Sequence, residues 1–458
     1  LPFANLSSDP GQQYFSDGIT EELTGALGQN TGLTVIAWET ASRYADSKKT
    51  PAEIGKALNV AHILGGSIQR DGDEVRISAE LISTVTGRQL WSDHYDDSFK
   101  DIFALQDRIT GAIADTLKVK FAGMQAAPTT NPQAHDLYLQ GLAAVDRQTA
   151  ADAQRAQQYF QQALGFDPNY ADAWAALGTA YAQLAEYSTL PVKVAAGKIR
   201  EAAAKALTLE PQNANALVAL GIADYFDNRT AQARADFQHA LALDPNNVRA
   251  HLDYGITLPF REGLAQTQAA ARLDPDNVTA QNNLAEYYSD LADWPRVVMA
   301  ARTMIRLSPH NIAAAFGLAD AYTKMGRRQD AVEAFNLVRP VTDLDRRLVA
   351  TGKLTYQAVL QPALRPKALA ALDRLRRANA SPNTQALLSS LYLTLGDKET
   401  VLAMLPGVCA AERSLCSDLG ISPDLEPLHG DPRFEKLAKQ YTTITIGSAP
   451  ASASTSAR

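Results

Sequence analysis

The 458-residue chain predicts a fold in two parts: a small α/β domain with a mixed sheet, then an all-α solenoid of stacked helix hairpins. Three observations carry this expectation. A stencil of small, apolar, spacer, apolar, acidic or polar, then proline recurs along the middle of the chain, with prolines at 168, 211, 245, 275 and 309. The steps between them are 43, 34, 30 and 34 residues, and a period near ~34 belongs to a two-helix repeat. Before the first copy, short apolar alternations between turn signals replace the helical period. A polar stretch with two prolines, 125–132, separates the two regimes.

The first region runs from Leu1 to about residue 121. Asp9-Pro10-Gly11 reads as a turn, and Ile19, Leu23, Ala26 and Leu27 fall at helical spacing behind Asp17 as the expected N-cap. Residues 33–37 form an apolar run of strand character. Thr50-Pro51-Ala52-Glu53 has the capping-box spacing with proline at the first helical position, so a short helix should run through Leu58. Strands are expected at 63–68, at the alternation Val75, Ile77, Ala79, Leu81 after the Asp71-Gly72 turn, and at 89–95 after Thr86-Gly87. Ile102, Leu105, Ile109, Ile113 and Leu117 then mark one face of a helix. This order describes a small α/β domain.

Five blocks of this region resemble the amino-terminal-like domain of the TolB and FlgO type. They are Leu1-Pro2-Phe3-Ala4-Asn5-Leu6-Ser7, the stretch from Tyr14-Phe15-Ser16-Asp17-Gly18 to Leu23, Leu64-Gly65-Gly66-Ser67-Ile68, Gly87-Arg88-Gln89-Leu90-Trp91-Ser92 with Tyr95-Asp96, and the stretch from Asp101-Ile102-Phe103 to Asp107. The resemblance lends no catalytic residue. It implies a context: such domains joined to helical repeats look like C-terminal parts of bacterial one-pass signalling proteins, whose upstream partners are a winged-helix DNA-binding domain as in CadC-like regulators, a nucleotide cyclase or a Ser/Thr kinase. Leu1-Pro2-Phe3 reads as the end of a strand, so further residues are expected upstream.

In the repeats, a 34-residue frame ending at Pro245 places Leu217, Leu220, Gly221, Ala233, Phe237 and Ala240 where large, large, small, small, aromatic and small residues belong. Gly221 and Ala233 let two helices approach, Phe237 fills the wedge beside them, and Pro245 stops the second helix. Trp174, Leu177, Gly178 and Tyr181 open another unit in the same register. The pattern resembles the tetratricopeptide repeat (TPR) family. The 43-residue unit carries an insertion around 187–198, read as a loop, and the 30-residue unit has lost residues near Pro259-Phe260. The expected domains are therefore 1–121, the α/β domain; 122–132, a linker; 133–345, a TPR array of about six repeats; 346–445, degenerate hairpins and a capping helix; and 446–458, a disordered Ala/Ser tail.

Net charge is −7, which weighs against nonspecific nucleic-acid binding by this segment, and no apolar run reaches the ~18–20 residues of a membrane span. Cys409 and Cys416 would lie ~10.5 Å apart along one continuous helix, beyond the ~4.4–6.8 Å of a disulfide. They bridge only if the chain turns between them, so two free thiols are the expectation and a disulfide the alternative. No P-loop, G-x-S-x-G, H-E-x-x-H or kinase signature occurs, and the seven histidines lack metal-ligand spacing. Ser92, His94 and Asp96 would share a strand face, which reads as a solvated face running into a helix cap at Asp97. Glu21-Glu22 reads as a pair favourable to a helix dipole near its start. Arg346-Arg347 and Arg374, Arg376, Arg377 read as solvated helix faces. Gly65-Gly66 alone makes no phosphate cradle.

The function expected is a non-enzymatic sensor or scaffold segment, with a protein or peptide held on the concave face of the array. Candidate partner-binding residues are Asn215, His251, Asp253, Gln281 and Asn282; no catalytic residue, cofactor or metal is expected. Direct nucleic-acid contact is not expected, and membrane attachment would come only through an upstream helix. The alternative is the regulatory half of a transmembrane regulator, cyclase or kinase. The resemblance places the segment on the periplasmic side of the inner membrane, with the cytoplasm as the alternative.

Overall fold

The computed structural model describes residues 1–29, 32–45, 47–118, 129, 131–147, 149–187, 189–378, 381–416 and 419–442. Most of the expected linker and the whole expected tail, 446–458, lie outside the described residues. The chain forms two compact units, one made of Leu1–Leu258 with Ala269–Asn277, the other of Pro259–Gln268 with Val278–Arg458.

The first unit begins with a four-stranded mixed sheet in the order β1 (Ala4–Asn5), β2 (His62–Asp71), β3 (Glu74–Ser83), β4 (Gln89–Ser98). β1 is parallel to β2, while β2, β3 and β4 form antiparallel pairs. A Cβ added to Gly66 would sit 2.0 Å from the Ser78 carbonyl oxygen, so this glycine serves close strand pairing. Helices α1 (Gln13–Gly28), α2 (Trp38–Ser42), α3 (Pro51–Leu58) and α4 (Ile102–Leu117) complete the region. Phe3, Phe15, Ile19, Leu23, Ile68, Ile77, Leu105 and Ile109 form its core. The capping box at Thr50 and Glu53 is formed as the spacing predicts.

Four local expectations are corrected. Asp17 does not cap α1: the helix is entered through a 3-10 turn, Pro10–Gln12, and Asp9 accepts the Gly11 N–H. Glu21 and Glu22 therefore lie well inside α1, where Glu22 meets buried His135 (Nε2 to Oε1, 2.9 Å) and accepts from Gln106 Nε2 at 2.6 Å. Asp97 does not cap the next helix but lies within β4, one residue before its end, and pairs with Arg108. Residues 33–37 do not join the sheet; they run extended against the repeats, with Ala37 N–H donating to the Leu273 carbonyl at 2.8 Å and Val35 N–H to Asn246 Oδ1 at 3.2 Å.

The sheet is fixed to the first hairpin through Arg70 of β2. Its guanidinium lies 4.7 Å and 4.2 Å from the ring centroids of Phe15 and Phe99 and pairs with Asp136 at 2.5 Å. Asp136 sits on α5 (Pro132–Val145), which is followed by α6 (Ala150–Phe166), α7 (Ala171–Glu186), α8 (Val192–Leu209), α9 (Ala214–Phe226), α10 (Thr230–Leu243) and α11 (Val248–Thr257). Consecutive helices from α5 to α10 pack as hairpins around Phe160, Leu177, Tyr181, Ile199, Leu217 and Phe237. A Cβ at Gly221 would lie 2.6 Å from the Phe237 ring, the close approach that the stencil implies. The 43-residue repeat forms no long loop; most of its excess lengthens the pair, since α7 and α8 have 16 and 18 residues where α9 and α10 have 13 and 14. The 30-residue unit is shortened at α11, only 10 residues long.

α12 (Phe260–Leu273) contributes residues to both units. The second unit continues through α13 (Val278–Asp290), α14 (Trp294–Leu307), α15 (Ile312–Lys324), α16 (Arg328–Glu333), α17 (Asp343–Leu360), α18 (Arg365–Ala378), α19 (Pro382–Thr394), α20 (Lys398–Ala411) and α21 (Pro432–Tyr441). One bond recurs from repeat to repeat. The tyrosine hydroxyls of Tyr181, Tyr288 and Tyr322 meet Gln161, Gln268 and Arg302, each 20 residues earlier, and Tyr392 meets Asp373, 19 earlier. The side chains of Asn213, Asn247 and Asn311, two residues after a stencil proline, accept from the third N–H of the next helix. The stencil thus stops one helix and starts another. Cys409 and Cys416 are disulfide-bonded with Cα atoms 5.5 Å apart, because α20 ends at Ala411 and a 3-10 turn, Arg413–Cys416, brings the chain back.

Candidate functional site

The residues expected to face a partner fall in both units. Asn215 lies exposed on the first turn of α9 and accepts from Asn247 Nδ2 at 3.0 Å. His251 and Asp253 lie on α11. His251 is half-buried, its Nε2 3.0 Å from the Pro245 carbonyl. Asp253 is paired with Arg249, which also reaches Glu186; burial pushes its carboxyl up, against the pull of that guanidinium. Gln281 and Asn282 lie on α13 in the second unit, with Asn282 Nδ2 donating to Glu286 at 2.8 Å. The aromatic series Tyr181, Phe237, Tyr288, Tyr322 and Phe335 is buried.

A concavity of the first unit is one that sequence reasoning missed. A cavity of about 1030 Å³ is lined by Thr20, Thr24 and Leu27 of α1, the extended run 33–36, Leu58 of α3, His62 to Leu64 of β2, Leu81 of β3, and Ile113 and Leu117 of α4. Its wall also includes Leu1, Ala57 and residues 59–61 and, from the repeats, Pro245, Asn246, His251 and residues of the stencil around Leu273 and Pro275. The run 33–36 becomes a wall because Asn246 holds it: Asn246 Nδ2 donates to the carbonyls of Gly28 (2.6 Å) and Leu33 (3.1 Å). Farther along, Thr40 Oγ1 bonds Asp274 at 2.5 Å and Arg43 pairs with Asp276 at 3.6 Å. The only signal in the sequence was a β-branched run whose partners lie more than 200 residues away.

Beside this wall, Trp38 Nε1 donates to Asp146 Oδ2 at 2.9 Å. Burial pushes the Asp146 carboxyl up to about 6, against the hydrogen bond from Trp38. Glu21 is raised by burial and then by the charges of Asp146, Glu39, Glu22 and Asp17. Burial and the Glu210 charge bring Asp172 to about 6. Among the described residues, no group of three or more His, Cys, Asp or Glu side chains is placed to hold a metal ion. No helix among them is long and apolar enough to cross a membrane.

Residues 210–350 match the family described as the bacterial transcriptional activator domain. The chain is 35% identical over 182 residues to a putative adenylate cyclase 3 of Rhizobium meliloti, a match covering 39% of this chain and 31% of that protein. It is 27% identical over 202 residues to cellulose synthase 1 operon protein C of Komagataeibacter xylinus, covering 42% and 15% respectively. The chain thus spans less than a third of the length of either relative. Among solved structures, a tetratricopeptide repeat protein from Parabacteroides merdae is 15% identical with a TM-score of 0.33, over 57% of this chain and 98% of that one.

Proposed function

We propose that the chain is a non-enzymatic regulatory or scaffold segment of a bacterial signalling protein, whose helix hairpins take up a protein or peptide partner. The observation that carries this reading is the 35% identity to part of a putative adenylate cyclase, with the regulatory family description over 210–350 in support. Helix-hairpin repeats offer an extended polar surface from their first helices, where exposed Asn215 and Asn282 sit. The effector would be a cyclase, a kinase or a winged-helix regulator. Asn215→Arg and Asn282→Arg, introduced singly into the native gene product, test it. The expected result is a signalling response reduced at least about tenfold, as loss of a hydrogen-bonded contact in a partner site implies, with an unchanged thermal midpoint. A full response in both variants would remove these faces from the account.

The Cys409–Cys416 bond favours an oxidising compartment such as the periplasm. The transcriptional family description favours the cytoplasm and gives a second reading, direct contact with DNA, against which the net charge of −7 weighs. Thiol trapping in intact cells separates the compartments: blocked cysteines fit the periplasm, free ones the cytoplasm. A salt-dependent gel shift with duplex DNA would support the second reading.

A further inference from the structure

We propose that the cavity of the first unit is a binding site for an amphipathic carboxylate, an aliphatic chain in its leucine- and isoleucine-lined body and the carboxylate on Arg272. Leu27, Leu58, Ile63, Leu81, Ile113 and Leu273 line its depth, and the two threonines of α1 that face it are already hydrogen-bonded. Thr20 Oγ1 donates to the Ser16 carbonyl at 2.7 Å and accepts from Phe3 N–H at 3.1 Å, and Thr24 Oγ1 donates to the Thr20 carbonyl at 2.8 Å. None of the buried polar side-chain atoms without a partner among the described residues belongs to the lining. A sugar or nucleotide could meet polar side chains at the exposed Thr34, Asn59 and His62. Its hydroxyls and phosphates would still go unpaired against the leucine and isoleucine side chains of the depth, and burying such groups unpaired is costly. An alkyl chain needs no partners, and the volume is at the upper end of the range of small-molecule sites.

The charge of the lining selects the head group. In a protein with 50 acidic and 43 basic side chains, the described residues of the lining include no Asp or Glu; their titratable side chains are His62, His251 and Arg272. Arg272 is exposed, hence on the solvent side, and makes no ion pair with any described residue. A guanidinium fork at the edge of an apolar body matches a carboxylate. A primary amine would face only like or neutral groups. The site does not depend on the partner reading, since it is built within one unit and, of the partner-binding candidates, shares only the half-buried His251.

The test is calorimetric titration of the full chain with dodecanoate, dodecanol and dodecylamine, each below its micelle concentration. Dodecanoate is expected to bind with one-to-one stoichiometry and to raise the thermal midpoint, with the alcohol and the amine each weaker by about tenfold or more. Arg272→Gln should lower dodecanoate affinity by the same factor while leaving dodecanol binding unchanged. Ala57→Trp, which fills the cavity from the α3 side, should abolish binding of all three; circular dichroism on each variant confirms that it folds. Equal binding of the acid and the alcohol, or an unaltered Arg272→Gln, would overturn the head-group assignment, and no binding of any probe would overturn the site.

Discussion

Arg70 concentrates several interactions in one side chain. It is 16% exposed, packed against both Phe15 and Phe99, and paired with an Asp136 that also accepts from the Tyr14 hydroxyl at 2.9 Å. Replacement by Ala would leave Asp136 without its guanidinium and empty the space beside the Phe15–Phe99 ring pair. The expected loss is about 2–4 kcal/mol, read by chemical denaturation. Gly221 and Gly197 make a matched pair at the same scale. An added methyl meets Phe237 at 2.6 Å at the first and nothing within 4 Å at the second. Gly221→Ala should destabilise by about 1–2 kcal/mol, overpacking outweighing the gain in helix propensity. Gly197→Ala, on an exposed turn of α8, should stabilise by about 0.5–1 kcal/mol. Gly221 was legible in the sequence because its repeat frame places it opposite an aromatic. The role of Arg70 was not, since a lone arginine in a strand carries no mark of the rings it will pack against.

Elements divide in the same way. The hairpins were readable because each stencil combines an apolar period with a proline stop, and both act locally. Residues 33–37 were misassigned because an apolar β-branched run is extended whatever it bonds to. Its bonds go to Asn246 and the Leu273 carbonyl, and no local rule names partners that distant. The cavity was illegible for the same reason. The segment that follows also sets a pH dependence. Asp146, held at about 6 by burial beside Trp38, and Asp172, also at about 6, bind their protons more tightly in the fold than in the unfolded chain. Stability from these groups is therefore complete below about pH 4 and is lost as pH rises through about 6, the reverse of an ion-paired carboxylate. Carboxylates lowered by exposed partners, such as Asp96 and Asp152, act only below that window. Asp146→Asn keeps an acceptor for Trp38 and should flatten the decline by about 1–2 kcal/mol, measured as thermal midpoints at stepped pH.

At the scale of the whole chain, the sequence separates a sheet region from a repeat region, whereas the packing makes a first unit that holds the sheet together with the early repeats. The stitching runs through side chains: Arg70 to Asp136, Trp38 to Asp146, Thr40 to Asp274. The proposed ligand site is walled by both kinds of structure, so its occupancy would be carried into the repeats without a separate hinge. That makes the segment's effect on an attached effector the claim on which the rest depends. The measurement that tests it most directly is the signalling output of the native gene product in cells, cyclic-nucleotide synthesis or reporter transcription, with this chain present and with it deleted. The account predicts that deletion leaves the remaining protein folded but fixes its output, high or low, whatever the stimulus. An output that still responds fully after deletion would contradict a regulatory role.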